Sequence, residues 1–386
     1  MAEAFPRRAR DLRLDFFRGL SLFFIFIDHI PNNFLGWFTL RSIAFSDAAE
    51  VFIFISGYTA ALVYGRSLRQ HGALFAAAQI YRRVWQLYVA HIFLFMIFTA
   101  EVSYAVLAVN NPMYTEELRV GDFLEQPHIA IIKALLLQFQ PAFLDILPLY
   151  IVLLGAFPLV LLALERGPIW ALLPSAALYA LTLRHGWGPP AYPAASVWFF
   201  NPLAWQFLFV IGASAGHARV SGRWPFPHGA WLSRLATALA AVLVVINLSW
   251  LVHWIYDPFP AILAKQLLSY TIDKTNLAPL RLINFLALAL ATVHFVTPDS
   301  AFLRWRVSYP VILCGQHSLY VFCLGIVLAV CGHFILSEFY AELPMQLLVN
   351  LAGFALMIGT AALIAWYKAA SAAGPSRGSI PATPSE

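Results

Sequence analysis

Arg18, Asp28 and His29 share one apolar stretch near the N-terminus, LDFFRGLSLFFIFIDHIP, and residues of these types can serve group transfer. Arginine grips phosphate through a planar fork, and histidine takes up a proton near neutral pH. Eleven residues separate Arg18 from His29. In a helix that interval is three turns plus roughly 20°, so both side chains leave one face, about 16 Å apart along the axis. A long ligand with an anionic head and a reactive far end suits such a pair. Coenzyme A would set its phosphates by Arg18 and deliver a thioester near His29, so that the carrier stays on one side while the acyl group crosses. Each residue also has a plainer reading: Arg18 as an interfacial partner of Asp15, and His29 as a satisfied core histidine.

Further polar residues fall near this pair. In FSDAAEVFIFISGYTAALVYG, Ser46 or Asp47 can cap a helix, and Glu50 follows one turn deeper, at about the depth of His29 in an antiparallel neighbour. A carboxylate there would fix the imidazole tautomer and stabilise the imidazolium. Asp28 competes for that role, but as the sequence neighbour of His29 it points about 100° away. Ser56 and Gly57 read as a small-residue packing patch, and Ser56, Tyr58 and Asp47 as lining of a polar cleft. Arg82 and Arg83 in YRRVWQLYVAH would complete a cluster of three arginines for phosphate, although charge bias in cytoplasmic loops explains both without a ligand. Gln316 and His317 in CGQHSLYVF are candidates for substrate contact, while His91, Asn247, Asn284 and Asn350 read as interhelical hydrogen-bonding groups.

These residues must be positioned by membrane helices. Of the 386 residues, 61% are hydrophobic and 11% charged, with a mean hydropathy of +0.74. A soluble domain carries about 25% charged residues, so a water-soluble fold is excluded. Apolar stretches recur along the whole chain, so a leader peptide on a soluble domain is excluded too. Near ten positions the chain offers about the 20 apolar residues that cross a bilayer: 16–36, 47–66, 82–107, 143–164, 168–184, 197–217, 230–255, 279–297, 308–336 and 341–368. The fifth is short and interrupted by Pro174. The expected fold is an all-α polytopic bundle of about ten transmembrane helices: one domain over 1–370, then a Ser-, Pro- and Gly-rich disordered tail over 371–386.

With the N-terminus inside, seventeen of the 24 Lys and Arg residues face the cytoplasm, which favours cytoplasmic placement of both termini. Residues 108–142 and 256–278 become the large external segments, the first with a short interfacial helix in IAIIKALLLQF. A net charge of +5 scattered over short loops forms no basic domain, so nucleic acid is not an expected partner. Cys314, Cys323 and Cys331 show no metal-ligand spacing and read as small core residues; no metal is expected. No internal repeat is visible, which weighs against repeat-built transporters.

The pattern D-x-x-R-G with a histidine eleven after the arginine, here Asp15, Arg18, Gly19 and His29, resembles the acyltransferase-3 superfamily of integral membrane acyltransferases. The fuller wording RDLRLDFFRGLSLFFIFIDHIP, with FSDAAEVFIFISGYTAALVYGR, KTNLAPLRLINFLALA and GQHSLYVF, is similar to its OpgC branch over most of the chain. That resemblance implies an inner-membrane, multi-pass enzyme that transfers succinyl groups from cytoplasmic succinyl-CoA to osmoregulated periplasmic glucans. The donor would be a substrate, with no tightly bound cofactor. The resemblance also implies that the superfamily's required arginine and histidine are Arg18 and His29, with its basic third-helix residues at Arg82 and Arg83. Where the superfamily often has a further arginine and proline, this chain has Gln86 and Val89. Two functions follow as expectations: an O-acyltransferase with His29 as general base or acyl carrier, its oxyanion stabiliser unassigned, or a transporter of an anionic solute or acylated glycan that does no chemistry.

Overall fold

The computed structural model describes residues 10–109, 113–193, 197–222, 229–255, 272–339 and 341–372. Among them the chain is helical, with two isolated bridges and no strand. The principal helices are α1 (Leu12–Asp28), α2 (Ala48–His71), α3 (Ala73–Val109), α4 (Pro127–Leu135), α5 (Ile146–Arg166) and α6 (Pro168–His185). They continue as α7 (Pro202–Ser221), α8 (Ala230–Ile255), α9 (Pro279–Phe295), α10 (Tyr309–Gln316), α11 (Ser318–Glu338) and α12 (Leu343–Ala372). Each of the ten expected spans coincides with helix. Six helices, α2, α3, α5, α8, α11 and α12, are long and apolar enough to cross a membrane.

Several boundaries shift by a few residues or more, the third span beginning at Ala73 rather than at 82, and two of the differences bear on the site. The first span ends at Asp28 and leaves His29 as the C-cap, with an Asn33-capped 3-10 turn (Phe34–Phe38) beyond it. The ninth span, expected to be continuous over 308–336, breaks between α10 and α11 at His317, whose φ of −113° and ψ of 32° leave the helical region. The break falls two residues after Gly315, whose backbone is pressed against α1: a Cβ on Gly315 would collide with the Asp15 carbonyl oxygen, and one on Gly19 with that of Val311. The segment below the break is thereby tied to α1, while α11 packs on α12, α1 and α3.

The most extensive helix contact, between α2 and α7, is built the same way. Gly57 meets the Phe209 carbonyl, and Gly212 and Gly216 meet the carbonyls of Phe54 and Tyr58. Small residues thus let backbones touch where hydrocarbon offers no hydrophobic drive for association. Several polar groups between helices are paired: Asn350 and Asn33 exchange 2.9 Å hydrogen bonds, Asn284 accepts from Ser46, and Asn247 donates to the Ser42 carbonyl. His91 differs, being fully buried with neither ring nitrogen bonded. Cys314 is buried as expected, whereas Cys331 is exposed and donates to Glu101 over 2.8 Å.

Charges collect at the two ends of the bundle. At one, Asp11 joins Arg13 and Arg219, and Glu165 joins Arg69. At the other, Arg119 meets Asp145, and Lys274 meets Asp47. The segment expected as external, 108–142, carries the short helices Met113–Glu117 and Gly121–Glu125 before α4, which covers part of the expected interfacial helix. Of the segment 256–278, residues 256–271 lie outside the described residues; Asp273 turns the rest by accepting from the Thr275 and Asn276 amides. Of the tail 371–386, Ala372 ends α12 and residues 373–386 lie outside the described residues.

Gly315→Ala should lower the unfolding midpoint in detergent by the equivalent of about 1–3 kcal/mol, because two backbones must separate. Gly155→Ala, which meets nothing within 4 Å, should leave it unchanged or slightly raised. In a background with the three native cysteines replaced by alanine, Glu116→Cys should react with an impermeant thiol reagent on intact cells, and Gln70→Cys only after permeabilisation. The reverse pattern would invert the chain.

Candidate active site

Arg18 and His29 both leave α1, but they open onto different cavities. Arg18 and Arg83 line an inner cavity of about 190 Å³, walled also by Ser56, Thr59 and Tyr150. His29 lines an outer cavity of about 250 Å³ with Asp28, Asp47, Asp145, Phe143 and Lys274.

At the inner cavity, Arg18 donates to the Thr59 hydroxyl over 2.8 Å. The interfacial pairing of Arg18 with Asp15 is not formed: both Asp15 oxygens accept from Arg10, over 2.5 and 2.8 Å. Much of the Arg18 guanidinium is therefore left to meet a ligand, since its fork has five donors. The expected arginine cluster is two residues rather than three. Arg83 lines the cavity and donates to Gln86 over 3.2 Å, whereas Arg82, about 100° round α3, is exposed. Ser56 lines the cavity; Tyr58 turns instead toward α7, where it hydrogen-bonds Arg219.

At the outer cavity, His29 Nδ1 meets the Ile25 carbonyl oxygen, and Phe143 stands edge-on to the ring at 4.4 Å between centroids. A carbonyl can only accept, so Nδ1 carries the proton and Nε2 carries the lone pair. The tautomer-fixing role expected of Glu50 thus belongs to the helix backbone one turn earlier. Glu50 is fully buried and otherwise engaged: it bonds Arg281 Nε over 2.8 Å and the Asp47 amide over 2.9 Å, the second half of a capping box. Asp47, which caps α2, also meets Lys274 at 2.7 Å and Arg281 at 3.1 Å. Asp28 accepts from Thr39 over 2.7 Å, which occupies one of its two oxygens.

Aromatic and basic groups complete the outer cavity. Lys274 lies 5.3 Å from the Phe200 centroid and 5.9 Å from that of Phe199, with Arg119 over Phe199 at 5.7 Å. The buried Asp145 carboxylate meets the Arg119 guanidinium at 3.2 Å. Carboxylates beside flat apolar rings suit a sugar, whose hydroxyls donate to the former and whose C–H faces pack on the latter. Gln316 and His317 line neither cavity. They lie at the helix break, His317 with Lys368 at 3.5 Å, and the next residues, Ser318 and Leu319, reach the inner cavity instead. Among the described residues no cluster of three or more metal-ligating side chains occurs.

Sequence reasoning missed Arg281, Lys274, Asp145, Thr59 and Tyr150. Only Arg281 left a usable signal: it lies near the start of α9 as Glu50 lies near the start of α2, and opposite charges at equal depth in two spans seek each other.

Compared with known proteins, residues 10–369 match the family model described as OpgC protein. No curated protein and no solved structure matches the chain.

Arg281→Met would strand Glu50 as a buried, unpaired carboxylate. It should destabilise the protein by about 3–5 kcal/mol, read as a lower unfolding midpoint in detergent. Glu50→Gln combined with Arg281→Met should recover much of that loss.

Proposed function

Because the chain belongs to the OpgC family, whose model spans residues 10–369, we propose that it is a membrane O-acyltransferase of periplasmic glucans. On this reading it moves a succinyl group from cytoplasmic succinyl-CoA to a glucan hydroxyl. One observation carries the proposal: α1 presents an arginine-lined cavity toward one end of the bundle and an imidazole with a bare Nε2 in a separate, carboxylate- and phenylalanine-lined cavity toward the other. Arg18 and Arg83 hold the phosphates of the donor. His29 takes the proton of the attacking hydroxyl and returns it to the departing thiolate. Arg41, Arg119 and Lys274 on the outer cavity supply positive potential for the oxyanion that forms between those steps.

The roles of the remaining residues follow. Asp28 accepts a glucan hydroxyl with its second oxygen, and Asp47 and Glu50 position the outer wall through Lys274 and Arg281. Ser56 lies beside the donor. All ten expected spans are read as crossings, with both termini in the cytoplasm and the protein in the inner membrane. Of the four that fall short of the apolar helices, α1 carries Arg18, α9 carries Arg281, and α7 has most of its residues buried.

Release of coenzyme A by purified protein in detergent, supplied with succinyl-CoA and a soluble glucan, tests the reading. A transporter would release none. His29→Gln should cut the rate by about 10²–10⁴-fold, because it keeps a polar side chain without basicity. Arg18→Lys keeps the charge and loses the fork, so the apparent donor affinity should weaken with the acceptor KM little changed. Retention by His29→Gln of more than about a tenth of the wild-type rate would remove the imidazole from the chemistry.

A further inference from the structure

The two cavities share one lining residue. Phe322 of α11 is the single residue that lines both. Around it the other walls change hands within a few residues: α2 gives Ala48 and Ala49 to the outer cavity and Phe52 to the inner, while α5 gives Ile146 to the outer and Leu147 to the inner. Phe322 is itself buried, 3% exposed, with its ring centroid 6.2 Å from that of Phe52, which in turn lies 6.3 Å from Tyr150. Arg18 and His29 are about 16 Å apart along α1, and this apolar partition stands between their cavities.

Resting on the acyltransferase reading, we propose that Phe322 is the residue that sets which acyl groups pass from the donor cavity to His29 and that keeps acceptor-side water off the thioester. To react, the acyl end of the donor must enter the outer cavity while the phosphates stay with Arg18, so the pantetheine arm takes the place of the Phe322 ring beside Phe52. The ring is apolar and seated among other apolar groups, so an arm of matching width restores the packing and a bulkier acyl group does not pass. In transfer, the thioester C–S bond breaks and an ester C–O bond forms; the hydroxyl proton goes to His29 and then to the thiolate. With the partition removed, water takes the hydroxyl's place, and the products are the free acid and the thiol.

Three variants test this, assayed on monodisperse full-length protein with succinyl-CoA and with adipoyl-CoA, whose acyl group is two methylenes longer. Phe322→Ala should raise the kcat/KM of adipoyl relative to succinyl by about tenfold or more, the scale of methylene discrimination in an apolar pocket. It should also raise coenzyme A release in the absence of glucan. Phe322→Leu should fall between wild type and alanine, which keeps the test open if the alanine variant does not fold. Phe322→Trp should lower transfer of both acyl groups while acyl-CoA still binds at the Arg18 end. If folded Phe322→Ala or Phe322→Leu keeps wild-type selectivity and wild-type glucan-independent release, Phe322 is ordinary core and the inference fails. Should wild type itself release no coenzyme A from either donor, the acyltransferase reading fails instead.

Discussion

Four charges close on one another at the outer end of the bundle: Glu50, Asp47, Arg281 and Lys274, within 2.7–3.1 Å of their partners. Glu50 is fully buried, and an ionised carboxylate there is tolerable only because Arg281 and the Asp47 amide meet both of its oxygens. The cluster ties the start of α2, the start of α9 and the segment that carries Lys274 to one point. From α2, so fixed, come walls of both cavities: Asp47, Ala48 and Ala49 on the outer, Phe52, Ser56 and Thr59 on the inner. The glycine contact of α2 with α7 and that of α1 with α10 then set the depth of the helices beside it.

The positions of the six long apolar helices were legible because hydrophobic length is a direct constraint in hydrocarbon. The capping box of Asp47 and Glu50 was half legible, as a cap followed by a deeper acid. Partners were not. Asp15 could pair forward along its helix with Arg18 or backward with Arg10, and spacing alone does not say that the chain before α1 folds back. Glu50 lay at the depth expected for His29, yet charge attraction to Arg281 exceeds any gain from a neutral imidazole. The break at His317 carries no Pro or Gly at the break itself, and the neighbouring contact of Gly315 with the Asp15 carbonyl joins residues 300 positions apart in the chain.

Spacing on one helix face brought Arg18 and His29 together as a pair, and the structure gives that pairing a different meaning. A single ligand channel along α1 is not open; two cavities lie along it, with Phe322 between them. For an enzyme that joins a cytoplasmic donor to a periplasmic acceptor, that division has a use. On the proposed reading, glucan meets only the outer cavity, while the phosphates of the donor stay in the inner one. The fixed tautomer of His29 adds a preset direction: Nδ1 is committed to the Ile25 carbonyl, so the remaining nitrogen alone can exchange protons.

The claim at the centre of this account is acyl transfer across the membrane onto a glucan. Mass analysis of periplasmic glucans from cells with and without the gene tests it most directly. Glucans from cells with the gene should include species heavier by whole succinyl units, and those species should vanish when the gene is removed and return when it is restored. Identical glucan masses in all three, with the protein present in the membrane of the first and third, would contradict the account.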